Sequence, residues 1–219
     1  TIIDHIVAIF DSERHPDTEW DFKRGIDALL SGRIPLAPDI MMRLLLSIGN
    51  TSERRPIIAD AIRSAWGTPM TPYICPILRS FGTQTRGFSA FKTIAAMTRT
   101  LASGWGHGED DAILETLLTI GHHCPDTWMH ADIIRAFRQG WGRGYDDAII
   151  DYLHRVIHTV GTSGPGSHQP VISAIIHTIG TGRLDTRHQM DIVRTITTEV
   201  PGGIYSIIAS LEWLVSQSQ

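Results

Sequence analysis

A nine-residue pattern that occurs twice constrains the fold of this chain more than any other feature. The segments Trp105–Ile113 and Trp141–Ile149 both read Trp-Gly-x-Gly-x-Asp-Asp-Ala-Ile, and they start 36 residues apart. A diverged third copy runs from Trp66-Gly67 through Thr71-Pro72 to Ile74. Self-similarity at a spacing of this size is the signature of proteins built from stacked units. The sequence therefore predicts a repeat architecture.

A shorter motif, serine or threonine followed by an apolar residue and glycine, closes each unit. Its glycines at positions 49, 82, 121 and 161 are 33, 39 and 40 residues apart, which is the period of a two-helix repeat. The segments between them carry apolar residues at helical spacing. A residue just past a helix often adopts a left-handed conformation, which glycine adopts without steric cost. We therefore predict that seven glycines end helices: Gly49, Gly82, Gly106, Gly121, Gly142, Gly161 and Gly180.

The aspartate pairs of the repeat predict helix starts. Thr71-Pro72 aligns with Asp110-Asp111 and with Asp146-Asp147. Threonine followed by proline is typical of an N-cap and the first helical position. We expect the first aspartate of each pair to cap a helix. The second then favours the positive end of the helix dipole, and each contributes about 1 kcal/mol.

Taken together, the repeats predict an all-α solenoid in one domain that covers residues 1–219. Five helical hairpins are expected at about 16–49, 50–82, 88–121, 127–161 and 167–203, with an opening helix from Ile2 to Phe10 and a closing helix from Ile204 to Ser216. The start at Thr1 predicts a segment of a longer protein. Because the two terminal helices are strongly apolar, they either pack more on the core than terminal repeats usually do or contact neighbours outside this chain.

The period, the helix–turn–helix units and the aspartate that opens each second helix resemble the HEAT and armadillo families. The aspartates in this register are Asp39, Asp111, Asp147 and Asp185. The Trp-Gly-x-Gly turn is not a usual feature of those families, and the arginine that their second helices often carry has no fixed place here. The resemblance implies an extended, mostly concave surface, lined by second helices, that binds a partner protein or peptide. The polar residues expected to do so are Arg43, Arg79, Glu115, Asp151 and Arg155.

Charge and composition limit the classes of partner that the chain is expected to bind and the compartment in which it is expected to reside. With 19 basic and 23 acidic residues the net charge is -4, which disfavours binding to a phosphate backbone. The local arginine concentrations are Arg54-Arg55, Arg135, and Arg138 with Arg143. No apolar run is long enough for a membrane span, and we expect no signal peptide within this segment. Cys75 and Cys124 lie far apart, which predicts a reduced compartment such as the cytoplasm.

The ratio of arginine to lysine indicates the type of genome that encodes this chain. Lys23 and Lys92 are the two lysines, against 17 arginines, and this skew predicts the GC-rich genome of a bacterium. The combination of this composition with a predicted solenoid resembles the repeat-built effectors that some bacteria deliver into host cells. A cytoplasmic protein and a delivered effector are therefore both expected locations.

Two features could support chemistry. The pairs Asp110-Asp111 and Asp146-Asp147 are similar to the aspartate-rich motifs with which isoprenoid synthases hold magnesium against a diphosphate. A magnesium-dependent all-α enzyme is therefore the alternative function. His122-His123-Cys124, and His154 with His158, have spacings that could hold a metal. No clear third ligand accompanies either cluster, so we expect no metal or cofactor.

The recurrent tryptophans either line a peptide-binding groove or belong to the buried core. Trp66, Trp105 and Trp141 recur once per unit, and an exposed row of them would form a peptide groove. A tryptophan beside a chain-reversing glycine is more typical of a buried core, which we predict here. The sequence has no nucleophile elbow and no phosphate-binding loop. The leading expectation is a non-enzymatic scaffold or adaptor that binds a partner protein or peptide.

Overall fold

The described part of the chain consists of α-helices joined by short turns. A computed structural model describes residues 2–12, 18–32, 35–85, 90–124, 126–162, 168–181 and 184–216, without the side chains of residues 2, 12, 18–20 and 213–216. These residues form twelve α-helices and no strand. The helices are α1 (Ile2–Ser12), α2 (Thr18–Leu30), α3 (Pro38–Ile48), α4 (Arg54–Ala61), α5 (Thr71–Gln84), α6 (Ala90–Gly104), α7 (Asp110–His123), α8 (His130–Phe137), α9 (Asp146–Thr162), α10 (His168–Thr181), α11 (Thr186–Glu199) and α12 (Gly203–Ser216).

The all-α prediction is confirmed. Helices α2 to α11 fall into five consecutive pairs close to the ranges expected for the hairpins, with α1 before them and α12 after them. Helices α5, α7 and α9 end one or two residues beyond the expected ends at 82, 121 and 161. Three short 3₁₀ turns, Ile62–Ala65, Thr127–Met129 and Arg138–Gly140, accompany α4 and α8. The predicted hairpin starts at residues 16, 88 and 167 lie outside the described residues. The prediction of one domain is untested, and the chain divides into two compact units, Thr1–Ile120 and Gly121–Gln219.

In the first unit, each helix packs on the next helix but one. Helices α2, α4 and α6 form one row, and α1, α3 and α5 form another. The apolar stripe of each helix faces the space between the rows, since its residues recur at helical spacing. Fully buried side chains such as Leu44, Ile58, Ile77 and Leu101 fill this core. The arrangement is compatible with a helical repeat.

The second unit repeats the same packing. Helices α8, α10 and α12 form one row, and α9 packs on α11. Helix α10 is buried on two sides because α8 and α12 both cover it, and its buried residues include Val171, Ile172, Ile175 and Ile176. A helix in the middle of a row is therefore apolar on two faces.

The glycines of the Ser/Thr-apolar-Gly motif have a different role from the predicted one. Gly82, Gly121, Gly161 and Gly180 lie inside their helices, and none of them has a positive φ. Gly49 is the C-cap of α3, with φ of −78°. A Cβ atom at Gly82 would lie 2.9 Å from Cγ1 of Ile120, and one at Gly121 would lie 2.5 Å from Oη of Tyr152. Most of these glycines thus permit close approach between helices rather than a left-handed end.

Candidate functional site

The five residues predicted to bind a partner all lie on second helices of the pairs. Arg43 is on α3, Arg79 on α5 and Glu115 on α7, in the first unit, while Asp151 and Arg155 are on α9, in the second. Arg79 is half-buried and the other four are exposed. The charged groups of these residues are therefore accessible to solvent, and their role in binding stays a prediction.

Arg79 and Glu115 bind each other across neighbouring second helices. The Nη1 and Nη2 atoms of Arg79 each donate to one carboxylate oxygen of Glu115, both at 2.9 Å. Nη2 also lies 3.3 Å from Oγ1 of Thr116. A bidentate arginine–carboxylate pair fixes the geometry of both side chains. The 36-residue spacing placed both residues at the same repeat position, but it did not reveal that they pair.

Arg155 packs over a buried aromatic cluster in the second unit. Its guanidinium carbon lies 5.6 Å from the ring centroid of Tyr152, and its Nη1 lies 2.6 Å from Nε2 of His122. Tyr152 is itself buried and meets Phe137 edge to face, with ring centroids 5.1 Å apart. Arg155 thus has a structural contact as well as an exposed charge.

One of the two histidine groups suggested as metal ligands, His154 with His158, contacts carboxylates of the next second helix. Nε2 of His154 lies 3.4 Å from Asp191, and Nδ1 of His158 lies 3.2 Å from Glu199. Both contacts join α9 to α11. Within the described ranges, no three histidine, cysteine, aspartate or glutamate side chains are grouped so that they could hold a metal ion. The four-residue spacing of the histidines was visible in the sequence, whereas their acidic partners were not.

His130 and Tyr152 form a buried hydrogen bond that sequence reasoning missed. Nδ1 of His130 lies 2.7 Å from Oη of Tyr152. Burial, and secondarily the charge of Arg155, lowers the pKa of His130 to about 4. Burial raises the pKa of Tyr152 well above its ordinary value. Both side chains are therefore neutral in the folded protein at neutral pH.

This pair predicts acid sensitivity. Since the pKa of His130 falls from 6.5 when unfolded to about 4 when folded, the unfolded chain binds more protons between these values. Stability is retained above pH 6.5 and lost as the pH falls toward 4. From pH 7 to 5 the free energy of unfolding should drop by about 2 kcal/mol through this group. Urea unfolding of wild type and His130→Gln at both pH values measures it. An equal drop in the two proteins would contradict the assignment.

The Trp-Gly turns before α5, α7 and α9 all contain the same hydrogen bond between a backbone N–H and a side chain. The backbone N–H of Gly106 donates to Asp110 at 2.6 Å, that of Gly142 donates to Asp146 at 2.8 Å, and that of Gly67 donates to Thr71 at 2.9 Å. Each acceptor is the first residue of its helix. Gly106 and Gly142 have positive φ, as predicted for glycines that end helices.

The predicted N-cap role of the aspartates is therefore corrected. The first backbone hydrogen bonds of α7 and α9 are accepted by Glu109 and Tyr145, which are therefore the N-cap residues. Asp110 and Asp146 are the first residues inside the helices, and each side chain accepts from an N–H of the preceding turn. Asp185 is a true N-cap, since its side chain accepts from the N–H of His188 at 2.9 Å. One carboxylate oxygen of each Asp-Asp pair thus has a backbone donor, which leaves it less available as a magnesium ligand.

The recurrent tryptophans belong to the core. Trp66, Trp105 and Trp141 are all buried, so the prediction that they are core residues is confirmed and they do not form an exposed aromatic groove. Nε1 of Trp66 donates to the carbonyl oxygen of Thr100 at 2.8 Å. Its ring also lies against Gly104, where a Cβ atom would overlap it.

The cysteine thiols are not activated for chemistry, and the clustered arginines contact other groups of the protein. Both cysteines are free, and burial raises the pKa of each thiol to about 12, so neither is a poised nucleophile. The arginines that could have formed a nucleic-acid surface each contact another protein group: Arg54 contacts Asp11, Arg55 contacts Gly49 and Gln84, Arg135 contacts Asp132, Arg138 contacts His177, and Arg143 contacts Gln139.

The described helices include none with the length and apolar character needed to cross a membrane. Comparison with protein-family models, with curated proteins and with solved structures gives no match for this chain.

Proposed function

We propose that this chain is a non-enzymatic helical scaffold, of the solenoid type that HEAT and armadillo proteins exemplify. It binds a partner protein or peptide on the exposed faces of its second helices. One observation carries the proposal: in each unit, second helices lie side by side and present charged side chains at regular intervals. Charged side chains at fixed spacing give specificity and steer a partner toward the surface. The cytoplasmic or host-delivered location remains a prediction.

The charged contacts between second helices support the proposal because they hold the surface in one geometry. Arg79 and Glu115 are fixed by each other in the first unit, and His158 is fixed by Glu199 in the second. Ordering long side chains before binding reduces the entropy that association costs. Arg43 and Asp151 extend the exposed charges of these faces.

A charge-reversed variant tests this surface. The chain is used to capture partners, which mass spectrometry identifies, and the purified partner is then titrated against both proteins. The variant combines Arg43→Glu, Arg79→Glu, Glu115→Arg, Asp151→Arg and Arg155→Glu. Exchanging Arg79 and Glu115 preserves their ion pair while it inverts the displayed charge. We expect affinity to fall at least about 10-fold, since interface charges set partner choice.

The matched control changes charges that lie outside the second helices. Arg63, on the 3₁₀ turn after α4, and Lys92, on α6, are exposed, so Arg63→Glu with Lys92→Glu should leave affinity unchanged. If the five-residue variant binds as tightly as wild type, the surface is wrongly assigned. Titration calorimetry with magnesium and pyrophosphate separates the scaffold from the enzyme alternative. A scaffold gives no saturable heat, and a saturable heat that Asp147→Asn removes would support the enzyme.

A further inference from the structure

Histidines are distributed unevenly between the two units, and three of them have buried ring nitrogens. Eight of the eleven histidines lie in the second unit. Among these, His130 and His168 are each 8% exposed, and Nδ1 of His177 is buried. The described histidines of the first unit, His5 and His107, are exposed. We call His130, His168 and His177 the inner histidines.

The groups that face His130 disfavour a positive charge on its ring. From α9, Oη of Tyr152 lies 2.7 Å from Nδ1 of His130, and the positive charge of Arg155 acts on the same ring. His130 is also the first residue of α8, where the helix dipole already places positive charge. Burial, with the charge of Arg155, lowers its pKa to about 4. Protonation of His130 is therefore costly while α8 packs on α9.

His177, on α10, faces two arginines. Nη1 of Arg138 lies 3.3 Å from Nε2 of His177, and arginine can only donate, so Nε2 is the acceptor and the ring proton is on Nδ1. Burial lowers the pKa of His177, and the charges of Arg138 and of Arg135 on α8 lower it further. A second ring proton would remove the acceptor and place a cation beside Arg138. It is therefore disfavoured while α10 packs on α8.

His168 is the first residue of α10 and lacks acceptors for a charged ring. Within the described part of the chain, neither of its ring nitrogens has a hydrogen-bond partner. The adjacent Gln169 reaches α12 through Ser206 and Ser210, which are neutral groups. An imidazolium has two N–H donors, and here it would also lie at the positive end of the α10 dipole. A charge on His168 therefore favours separation of this helix end from its neighbours.

The exposed histidines that contact carboxylates do not offset this cost. Acid turns each of these contacts into an ion pair, but exposed ion pairs contribute little to stability. The pairs are His154 with Asp191, His158 with Glu199, and His188 with Asp185.

We propose that the second unit is an acid-operated switch, in which protonation of the inner histidines opens the packing of α8 and α10 while the first unit stays folded. Histidine changes its charge between pH 5 and 8. Carboxylates remain ionised at pH 5, because their ordinary pKa is about 4. Opening and proton uptake are coupled, since the open state binds protons that the packed state excludes. Local opening of one cooperative unit is a common form of partial unfolding.

Hydrogen exchange of the full chain at pH 7 and pH 5, resolved by peptide and corrected for the intrinsic pH dependence of exchange, tests the switch. We expect the protection of α8 and α10 to fall at least about 20-fold, which is the factor that the lowered pKa of His130 supplies alone. The protection of α4 and α6 should change by less than about 3-fold, because no buried histidine is found among the described residues of the first unit.

A variant with all three inner histidines replaced tests their role. His130→Gln with His168→Gln and His177→Gln should remove the acid response of α8 and α10. The control is His154→Gln with His158→Gln, which changes exposed histidines of the same unit and should keep the response. If the triple variant is unfolded at pH 7, the single variants are compared instead, and each should show a smaller fall than wild type.

Three results would overturn the proposal. The first is protection of α8 and α10 that is the same at pH 7 and pH 5. The second is an equal loss of protection in both units, which would indicate unfolding of the whole chain. The third is an acid response that persists undiminished when the inner histidines are replaced.

Discussion

Replacing Arg55 by methionine should lower the free energy of unfolding by about 3 kcal/mol. Arg55 lies in the first turn of α4 and is buried. Its Nε donates to the carbonyl oxygen of Gly49 at 3.0 Å, its Nη1 to that of Gln84 at 3.0 Å, and its Nη2 to that of Asn50 at 3.2 Å. Methionine preserves much of the volume but leaves these acceptors without a donor.

The effect is large because Arg55 joins the ends of two helices. Gly49 and Asn50 follow the last residue of α3, and Gln84 is the last residue of α5. Terminal carbonyl oxygens have no partner within their own helix, and they carry the negative end of the helix dipole. Burial lowers the pKa of Arg55, but arginine stays charged at neutral pH.

Urea unfolding monitored by circular dichroism measures the change. Arg55→Lys should recover only part of the loss, because one ammonium group cannot reach both helix ends as a planar guanidinium does. Arg63 is exposed on the adjoining 3₁₀ turn, so Arg63→Met should stay within about 0.5 kcal/mol of wild type. A stability of Arg55→Met close to that of the Arg63 control would show that the guanidinium contacts contribute little.

Alanine at two equivalent glycines should shift stability in opposite directions. Gly161 and Gly180 each close a Thr-apolar-Gly motif and lie next to the last residue of α9 and α10, respectively. A Cβ atom at Gly161 would overlap the backbone oxygen of Glu199 and lie 3.0 Å from its carbonyl carbon. At Gly180 nothing lies within 4 Å. The two sites share a local sequence but differ in their neighbours.

We expect Gly161→Ala to lower the free energy of unfolding by about 2 kcal/mol, because backbone atoms of α11 must move to admit the methyl group. Gly180→Ala should raise it by about 0.5 kcal/mol or more, since alanine favours the helix over glycine. Thermal and urea unfolding of both variants give the comparison. Two changes of the same sign would mean that the α9–α11 approach does not control the response.

The predictions from sequence were accurate where local interactions decide. Helix starts and pairs follow from apolar spacing and turn residues, and α5, α7 and α9 begin at the repeat positions expected for them. The burial of the three tryptophans also followed from their position beside turn glycines. These features depend on neighbours within a few residues, so a pattern in one chain segment is enough to predict them.

The contacts of the candidate binding residues were only partly predictable. Each of these residues lies on the second helix of its pair, as expected, and their role in binding stays a prediction: Arg43, Arg79, Glu115, Asp151 and Arg155. The sequence could not reveal that Arg79 binds Glu115, nor that His154 and His158 face Asp191 and Glu199. These pairs join residues 36 to 41 positions apart, and side chains so distant meet only when helices pack in a particular register.

By itself, the sequence determined the helical class, the pairing of helices and the turns that separate them, because backbone conformation responds to local residue types. Only the tertiary structure decided what the recurrent glycines, Arg55 and His130 do. A glycine inside a helix lowers the stability of that helix. Its presence is explained only by another chain segment that leaves no room for a Cβ atom, as Glu199 does at Gly161. A buried arginine or histidine is likewise tolerable only beside acceptors or donors that folding supplies. The same reason applies to α12, where Ile204, Ile208 and Leu211 recur at helical spacing in the sequence but are seen to be exposed only when α10 and α11 are in place.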